Sequence, residues 1–401
     1  MIRINGYLHR DELYDVIRRW MYDQPDPQDA TRITHLVHFN ACFVSRYLEQ
    51  FTENVFGEIH GLPLRIERAH TKKALKDAII ERPPYRNARI DAMIRDYQLH
   101  PGKHYGETPF NGRLIFAQLP GGRGEQYVGA SRIKRVRRLA EKAGRRIIDA
   151  IFHAIQKRAE TLADERARVM GVDRTNLLTP QEEMAAEFSR AECRLLEDLR
   201  LGRPLRSNGV QPINDVAGIK VIAEHGEYDR VLDLLASLPD GEILEVEPHV
   251  GRYNATNVLV RYRPRKDKIL VRPISEGLLA SIWTRNITAT DADRLFEEFV
   301  RTGEDDVTLE VIVSSYQEML ESEIGRCMHE DRITAQRTKQ EYAGFVAKNI
   351  EWLVEYLFNM AISPRPEVGE LPIKIWNRYL PDYFDEAIKA LWGIKPLRLI
   401  E

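Results

Sequence analysis

Asn214-Asp215-Val216-Ala217-Gly218-Ile219-Lys220-Val221-Ile222 is a run of strand character that opens on an acid. Period-two alternation puts Asp215, Ala217, Ile219, Val221 and Ala223 on one face. A second run far downstream, Leu309-Glu310-Val311-Ile312-Val313, carries its acid internally. There Leu309, Val311 and Val313 share one face while Glu310, Ile312 and Ser314 share the other, so Glu310 points away from the apolar stripe. A carboxylate in an apolar run has to be hydrogen-bonded, paired or metal-bound, because an isolated ionised group loses its hydration on burial. Neither run supplies an adjacent cation for its acid. Two acids on neighbouring strands can hold Mg²⁺ through oxygen ligands and leave positions for water and phosphate oxygens. Taken singly, an acid at a strand end is more often a cap, a turn residue or a surface ion-pair partner.

The flanking residues shift that balance. Asp215-Val216-Ala217-Gly218-Ile219-Lys220 resembles the strand of the RelA/SpoT nucleotidyltransferase family in which an acid opens an Asp-Ile-Ala-Gly-Ile-Arg-like segment. Glu310, followed by Glu323, Gly325 and His329, resembles the family's Glu-Ile-Gln-Ile-Arg-Thr strand and the helix after it, with its Glu-x-Gly-x-x-x-His pattern. Between them, Gly251-Arg252-Tyr253-Asn254-Ala255-Thr256-Asn257 looks like the Asn-Gly-Tyr-x-Ser-x-His segment, whose tyrosine stacks on the acceptor base. The likeness spans residues 213 to 332, about a third of the chain. It implies Asp215 and Glu310 as catalytic Mg²⁺ ligands, with Lys220, Tyr253, Asn257, Glu323 and His329 on substrate. Lys220 stands where the family has arginine, Asn257 where it has histidine, and Ile312 and Ser314 where it has glutamine and arginine. These departures remove phosphate and nucleoside donors.

A donor triphosphate also needs cations. Residues 132 to 146 hold eight basic side chains against one acid, Glu141, in a chain of net charge −2. Such an excess is an anion site, a solvated face or an RNA-contacting face. In the resembled family an Arg-x-Lys segment opens the helix that grips the ATP phosphates, and Arg132, Lys134, Arg138 and Lys142 fall at comparable intervals. About 70 residues separate Lys142 from the Asp215 strand, where the family has a short link. Upstream, Gly121-Gly122-Arg123-Gly124 reads as a turn leading into that helix, either a phosphate cradle or a plain surface turn. His35 and His38 are three apart, but no acid or thiol nearby completes a metal set.

At 401 residues, 43% hydrophobic and 30% charged, the chain can bury a substantial core and divides into two or three units. Its three cysteines are far apart, which indicates neither a disulfide scaffold nor a zinc site. No apolar run reaches membrane-spanning length and the start lacks a secretory core, so a cytoplasmic protein that engages no membrane is expected. Near-neutral charge argues against bulk nucleic-acid binding, and no DNA partner is expected.

Helical periodicity predicts helices within 10–58, 86–97, 131–200 with a break near Gly171 to Pro180, 226–238, 291–302, 315–330, 338–361 and 381–393. Strands are expected at 215–223, 242–248, 255–263, Lys268 to Val271 and 309–313. The fold class is α/β (α+β), a mixed β-sheet nucleotidyltransferase-like core with flanking and inserted α-helices. The expected units are a helical N-terminal region 1–115, a core 116–338 with insertions 150–205 and 265–307, and a helical C-terminal region 339–401. The resemblance implies Mg²⁺-dependent transfer from ATP to a nucleotide or RNA ribose hydroxyl. A catalytically inactive nucleotide-sensing or RNA-binding protein and a helical interaction scaffold stay open beside it.

Overall fold

The computed structural model describes residues 2–362 apart from 23, 27, 123, 177–179, 202, 204–210, 252–253, 276–278, 280–287 and 326–344. In chain order the elements begin β1 (Ile2–Ile4), α1 (Arg10–Met21), α2 (Asp29–His60), β2 (Leu64–Thr71), α3 (Lys72–Glu81), α4 (Ala88–Leu99), β3 (Pro109–Gln118) and β4 (Glu125–Ile133). Then come α5 (Val136–Met170), α6 (Gln181–Arg200), β5 (Gln211–Ile213), β6 (Ala217–Ile222), α7 (Tyr228–Ser237), β7 (Gly241–His249) and β8 (Ala255–Tyr262). The last are α8 (Lys266–Leu270), α9 (Ala289–Thr302), β9 (Val307–Ser314), α10 (Tyr316–Leu320) running into a π-turn at Glu321–Gly325, and α11 (Phe345–Ile362).

Among the described residues seven strands form one mixed sheet in the order β2-β3-β4-β6-β9-β8-β7. β6 and β9 lie parallel at its centre, with Gly218 opposite Glu310 in register, and the other neighbours are antiparallel. A parallel pair needs a long crossover. The segment from α7 to α9, which includes the hairpin β7–β8, supplies it and lets β8 pair with β9 on return.

The central strands bury one face against the large helical core and give the other to a smaller core and a cavity, so apolar residues predominate in them. Val128, Ala217, Ile219, Val221, Val258, Val260, Leu309, Val311 and Val313 bury against α2, α5, α7, α9 and α11. On the opposite face Tyr127, Ala130 and Ile222 join a smaller core with α3, α4 and α10. The long helix α2 is the main support: Phe43, Tyr47, Phe51 and Phe56 are fully buried along it, each worth roughly 2–3 kcal/mol of transfer free energy. Side-chain caps fix several helix starts. Thr71 accepts from Ala74 N at 3.2 Å, Asn87 from Ile90 N at 2.9 Å, Thr288 from Asp291 N at 3.1 Å and Ser315 from Glu318 N at 3.2 Å.

Several expectations need correction. Residues 268–271 are not a strand but mostly lie in the short helix α8, with Ile269 as its buried residue. The helix expected from 291 begins at Ala289, because Thr288 takes the cap. The glycine turn leads into strand β4, not a helix, and closes the β3–β4 hairpin. The expected boundary at 115/116 runs through β3, and β2 and β3 from the N-terminal region are sheet strands. The helix at 381–393 and the part of 315–330 after Gly325 lie outside the described residues.

At Gly129 the Phe56 ring of α2 lies directly against strand β4. A Cβ there would fall on the Lys220 carbonyl oxygen and within 2.6 Å of the Phe56 ring. Gly129→Ala is therefore expected to destabilise the fold by at least about 2–3 kcal/mol through overpacking, read from urea denaturation midpoints against the wild-type chain.

Candidate functional site

One open cavity of about 1110 Å³ lies on the sheet face that carries α3 and α10. Its back wall is strand: Arg132 of β4, Gly218 and Lys220 of β6, Asn257 of β8, and Glu310 and Ile312 of β9. Its sides are α3, the start of α5, the π-turn after α10 and part of α11. Asp215 and Glu310 both open onto it.

Asp215 does not sit where strand alternation placed it. Ala217, Ile219 and Val221 face the large core, whereas Asp215 precedes β6 in the short link 214–216 and turns to the cavity. That link is pinned from three sides: Asn5 Nδ2 donates to Asn214 Oδ1 at 2.7 Å, Thr308 Oγ1 donates to Asn214 O at 3.4 Å, and Lys134 N donates to Val216 O at 2.7 Å. The absence of an adjacent cation within the strand is made good from elsewhere. Lys134, between β4 and α5, donates to Asp215 Oδ2, and Lys142 of α5 donates to Oδ1 at 2.7 Å. Burial pushes the Asp215 carboxyl up, but the two ammonium groups outweigh it and hold the carboxyl well below the usual range. Burial likewise lowers Lys134, to about 8, against the opposing pull of Asp215.

Glu310 stands directly across from Gly218, which lies at most about 10 Å along the chain from Asp215. A Cβ at Gly218 would meet the Glu310 carbonyl oxygen at 2.7 Å and Glu310 Cβ at 3.4 Å. Only glycine leaves this strand pair so close. Glu310 Oε2 meets Arg132 Nη2 at 3.5 Å and Oε1 meets Asn257 Nδ2 at 3.5 Å. Asn257 Oδ1 is buried with no hydrogen-bond partner among the described residues.

Arg132, Lys134, Arg138, Lys142, Lys220, Asn257 and Glu323 all line this cavity with the two acids. Tyr253 and His329 lie outside the described residues. Sequence reading missed Arg145, which lines the same wall. The signal was present: Arg138, Lys142 and Arg145 repeat at four and three residues and so share one face of α5. Arg137 and Arg138 occupy the first turn of α5, at the positive end of the helix dipole, where cations are disfavoured and an anion is welcome. Glu141 bridges them, at 3.7 Å from Arg137 Nε and in direct contact with Arg138.

Lys72 was also missed, because it comes from α3, outside the stretch carrying the motifs. It donates to Glu323 Oε2 at 2.7 Å, while Lys220 Nζ stands 3.9 Å from Oε1. Glu323 and Lys72 are buried, and Lys220 is 19% exposed. Burial raises the Glu323 carboxyl, yet Lys72 and Lys220 overcome this and hold it well below its usual range. Burial lowers Lys220 to about 8, Glu323 only partly opposing it. Glu323 is thus an interior ion-pair centre, not a helix-surface residue.

No protein-family model matches the chain, nor does any characterised protein or solved structure. The motif resemblance therefore stands on the residues themselves. Among the described residues no three His, Cys, Asp or Glu side chains are grouped to hold a metal ion, and none of the helices is long and apolar enough to cross a membrane.

Removing the Glu323 charge strands two ammonium groups. Glu323→Gln is expected to lower stability at pH 7 by about 3–5 kcal/mol, as for other broken buried pairs. Because the folded carboxyl titrates below the unfolded one, this contribution is complete above the ordinary glutamate value of about 4.3 and is lost as pH falls below it. Urea unfolding at pH 7 and pH 4 should show the wild-type advantage shrinking at the lower pH.

Proposed function

We propose that this cavity belongs to a nucleotidyltransferase-like core of RelA/SpoT type and carries out Mg²⁺-dependent transfer of pyrophosphate from ATP to a ribose hydroxyl of a nucleotide or an RNA end. One observation carries the reading: two carboxylates, one on and one just before a pair of adjacent parallel strands, share a cavity with a row of cations along one helix face. The volume of about 1110 Å³ suits two nucleotides better than one small metabolite.

In this reading Arg138, Lys142 and Arg145, with Lys134 and Arg132, neutralise the triphosphate and keep it extended along α5. The acceptor hydroxyl oxygen bonds to the β-phosphorus as the bond from that phosphorus to the α,β-bridging oxygen breaks, and AMP leaves. The hydroxyl proton passes to a carboxylate at the wall. Placement and charge stabilisation supply most of the rate, since little covalent chemistry falls to the protein. Asp215 and Glu310 would hold Mg²⁺, with the unpartnered Asn257 Oδ1 as a further oxygen donor; two carboxylates suffice because Mg²⁺ fills its remaining positions with water and phosphate. The ion would supply charge neutralisation of the phosphates. Tyr253 stacking on the acceptor base and His329 on substrate rest on the resemblance alone.

One observation favours a second reading, a nucleotide-binding protein without turnover. Ile312 and Ser314 are both buried where the family places donors, so this stretch of wall offers a phosphate little.

Labelled ATP, Mg²⁺ and a panel of nucleotides and tRNA separate the two. Transfer product is expected, reduced at least about 100-fold in Asp215→Asn and Glu310→Gln; tight ATP binding with no product selects the second reading. Lys142→Ala is expected to weaken ATP binding about 10- to 100-fold, the worth of a charge-assisted hydrogen bond.

Lys220 gives a pH signature. Phosphate favours its ammonium form, so ATP affinity is expected to fall as pH rises through about 8, where ATP is fully ionised. Titration calorimetry at pH 8.5 in buffers of different ionisation enthalpy should show proton uptake on binding, diminished in Lys220→Arg, which stays charged.

A further inference from the structure

We propose that polyanion and divalent cation enter this cavity as a coupled pair, because the side chains that would grip phosphate are the ones that cover the carboxylates. This rests on the transfer reading and concerns how the site loads.

Every carboxylate oxygen of the pair is engaged. Lys134 holds Asp215 Oδ2, Lys142 holds Oδ1 at 2.7 Å, and Arg132 and Asn257 each reach one Glu310 oxygen at 3.5 Å. Three cationic groups thus face two acids, and a divalent ion approaching them meets net positive charge. Its chelating oxygens are already donated to, so it has to displace ammonium groups into a wall where Arg145 adds further positive charge, Arg138 being already paired with Glu141. Asp215 is the more tightly covered of the two acids.

A triphosphate reverses each term. It is drawn to the start of α5, where Arg137 and Arg138 sit against the positive end of the helix dipole. A lysine ammonium is a compact point charge with three donors on a flexible stem, so Lys134 and Lys142 can swing from Asp215 to phosphate oxygens at little angular cost. Each lysine that moves bares one Asp215 oxygen, and the phosphate charge turns the local field from repelling to attracting a divalent ion. Metal and nucleotide then raise each other's affinity by the same factor, as linkage requires. Lys142 is accordingly a switch between two anionic partners, and its removal has opposite effects on the two ligands.

The measurement is Mn²⁺ binding to the full chain without nucleotide, read from the electron paramagnetic resonance signal of free Mn²⁺. Wild type is expected to bind Mn²⁺ weakly. Lys142→Met should bind it at least about 10-fold more tightly, and the gain should vanish in Lys142→Met/Asp215→Asn. A folded Lys142→Met chain with unchanged or weaker Mn²⁺ affinity overturns the proposal. If Lys142→Met does not fold, Arg132→Met, which bares Glu310, takes its place under the same criterion. In parallel, wild type should bind the Mn²⁺ complex of α,β-methylene-ATP at least about 10-fold more tightly than the analogue in chelator; equal affinities overturn the coupling while leaving the transfer reading standing. An analogue that binds in neither form sinks the transfer reading, whatever the Mn²⁺ result on Lys142→Met.

Discussion

The parallel pairing of β6 with β9 is the constraint on which the molecule turns. It sets Gly218 against Glu310 in register and brings two segments far apart in the chain to one wall. Parallel neighbours cannot be joined by a tight turn, so the chain between them must leave the sheet and return, and on the way it builds β7 and β8 on the far side. The closeness of the pair depends on position 218 having no side chain, since a methyl there would collide with the backbone of the partner strand.

Around this pair the wall is balanced by charge instead of by shape. Asp215 and Glu323 are each held ionised by lysines from other elements, and in both cases burial alone would have driven the carboxyl the other way. Two such centres in one cavity give it a fixed pattern of alternating sign. The lysines bear the consequence, since Lys134 and Lys220 both fall to about 8 as burial strips their hydration.

Much of this was legible beforehand, for identifiable reasons. β6 and β9 stand out as mostly apolar runs and β8 by its alternation, and the helices α2, α5 and α6 because amphipathic periodicity survives over many turns. What escaped was tertiary. β2 has mixed burial and no strong alternation, so nothing local marked it as sheet. Short α8 carries a β-branched residue and lies between Pro264 and Pro273, and five residues are too few for helical periodicity to mark. At the site, the motif residues named the wall but not its neighbours. Lys72 belongs to a helix with no motif, and the true direction of Asp215 was hidden because it precedes the strand whose alternation seemed to govern it.

The sheet's chain order has a bearing on how the molecule is born. Among the described residues β1 pairs with β5, with Ile2 opposite Gln211, and β4 waits for β6. On a ribosome working from the N-terminus, the first three strands of the large sheet emerge with an uncovered edge while the whole of α5 and α6 is still being made. Such an edge invites pairing with other chains, and high sequence separation between partners slows closure. The 35 residues of α5 and the 20 of α6 thus stand in sequence between β4 and the strand that covers its edge.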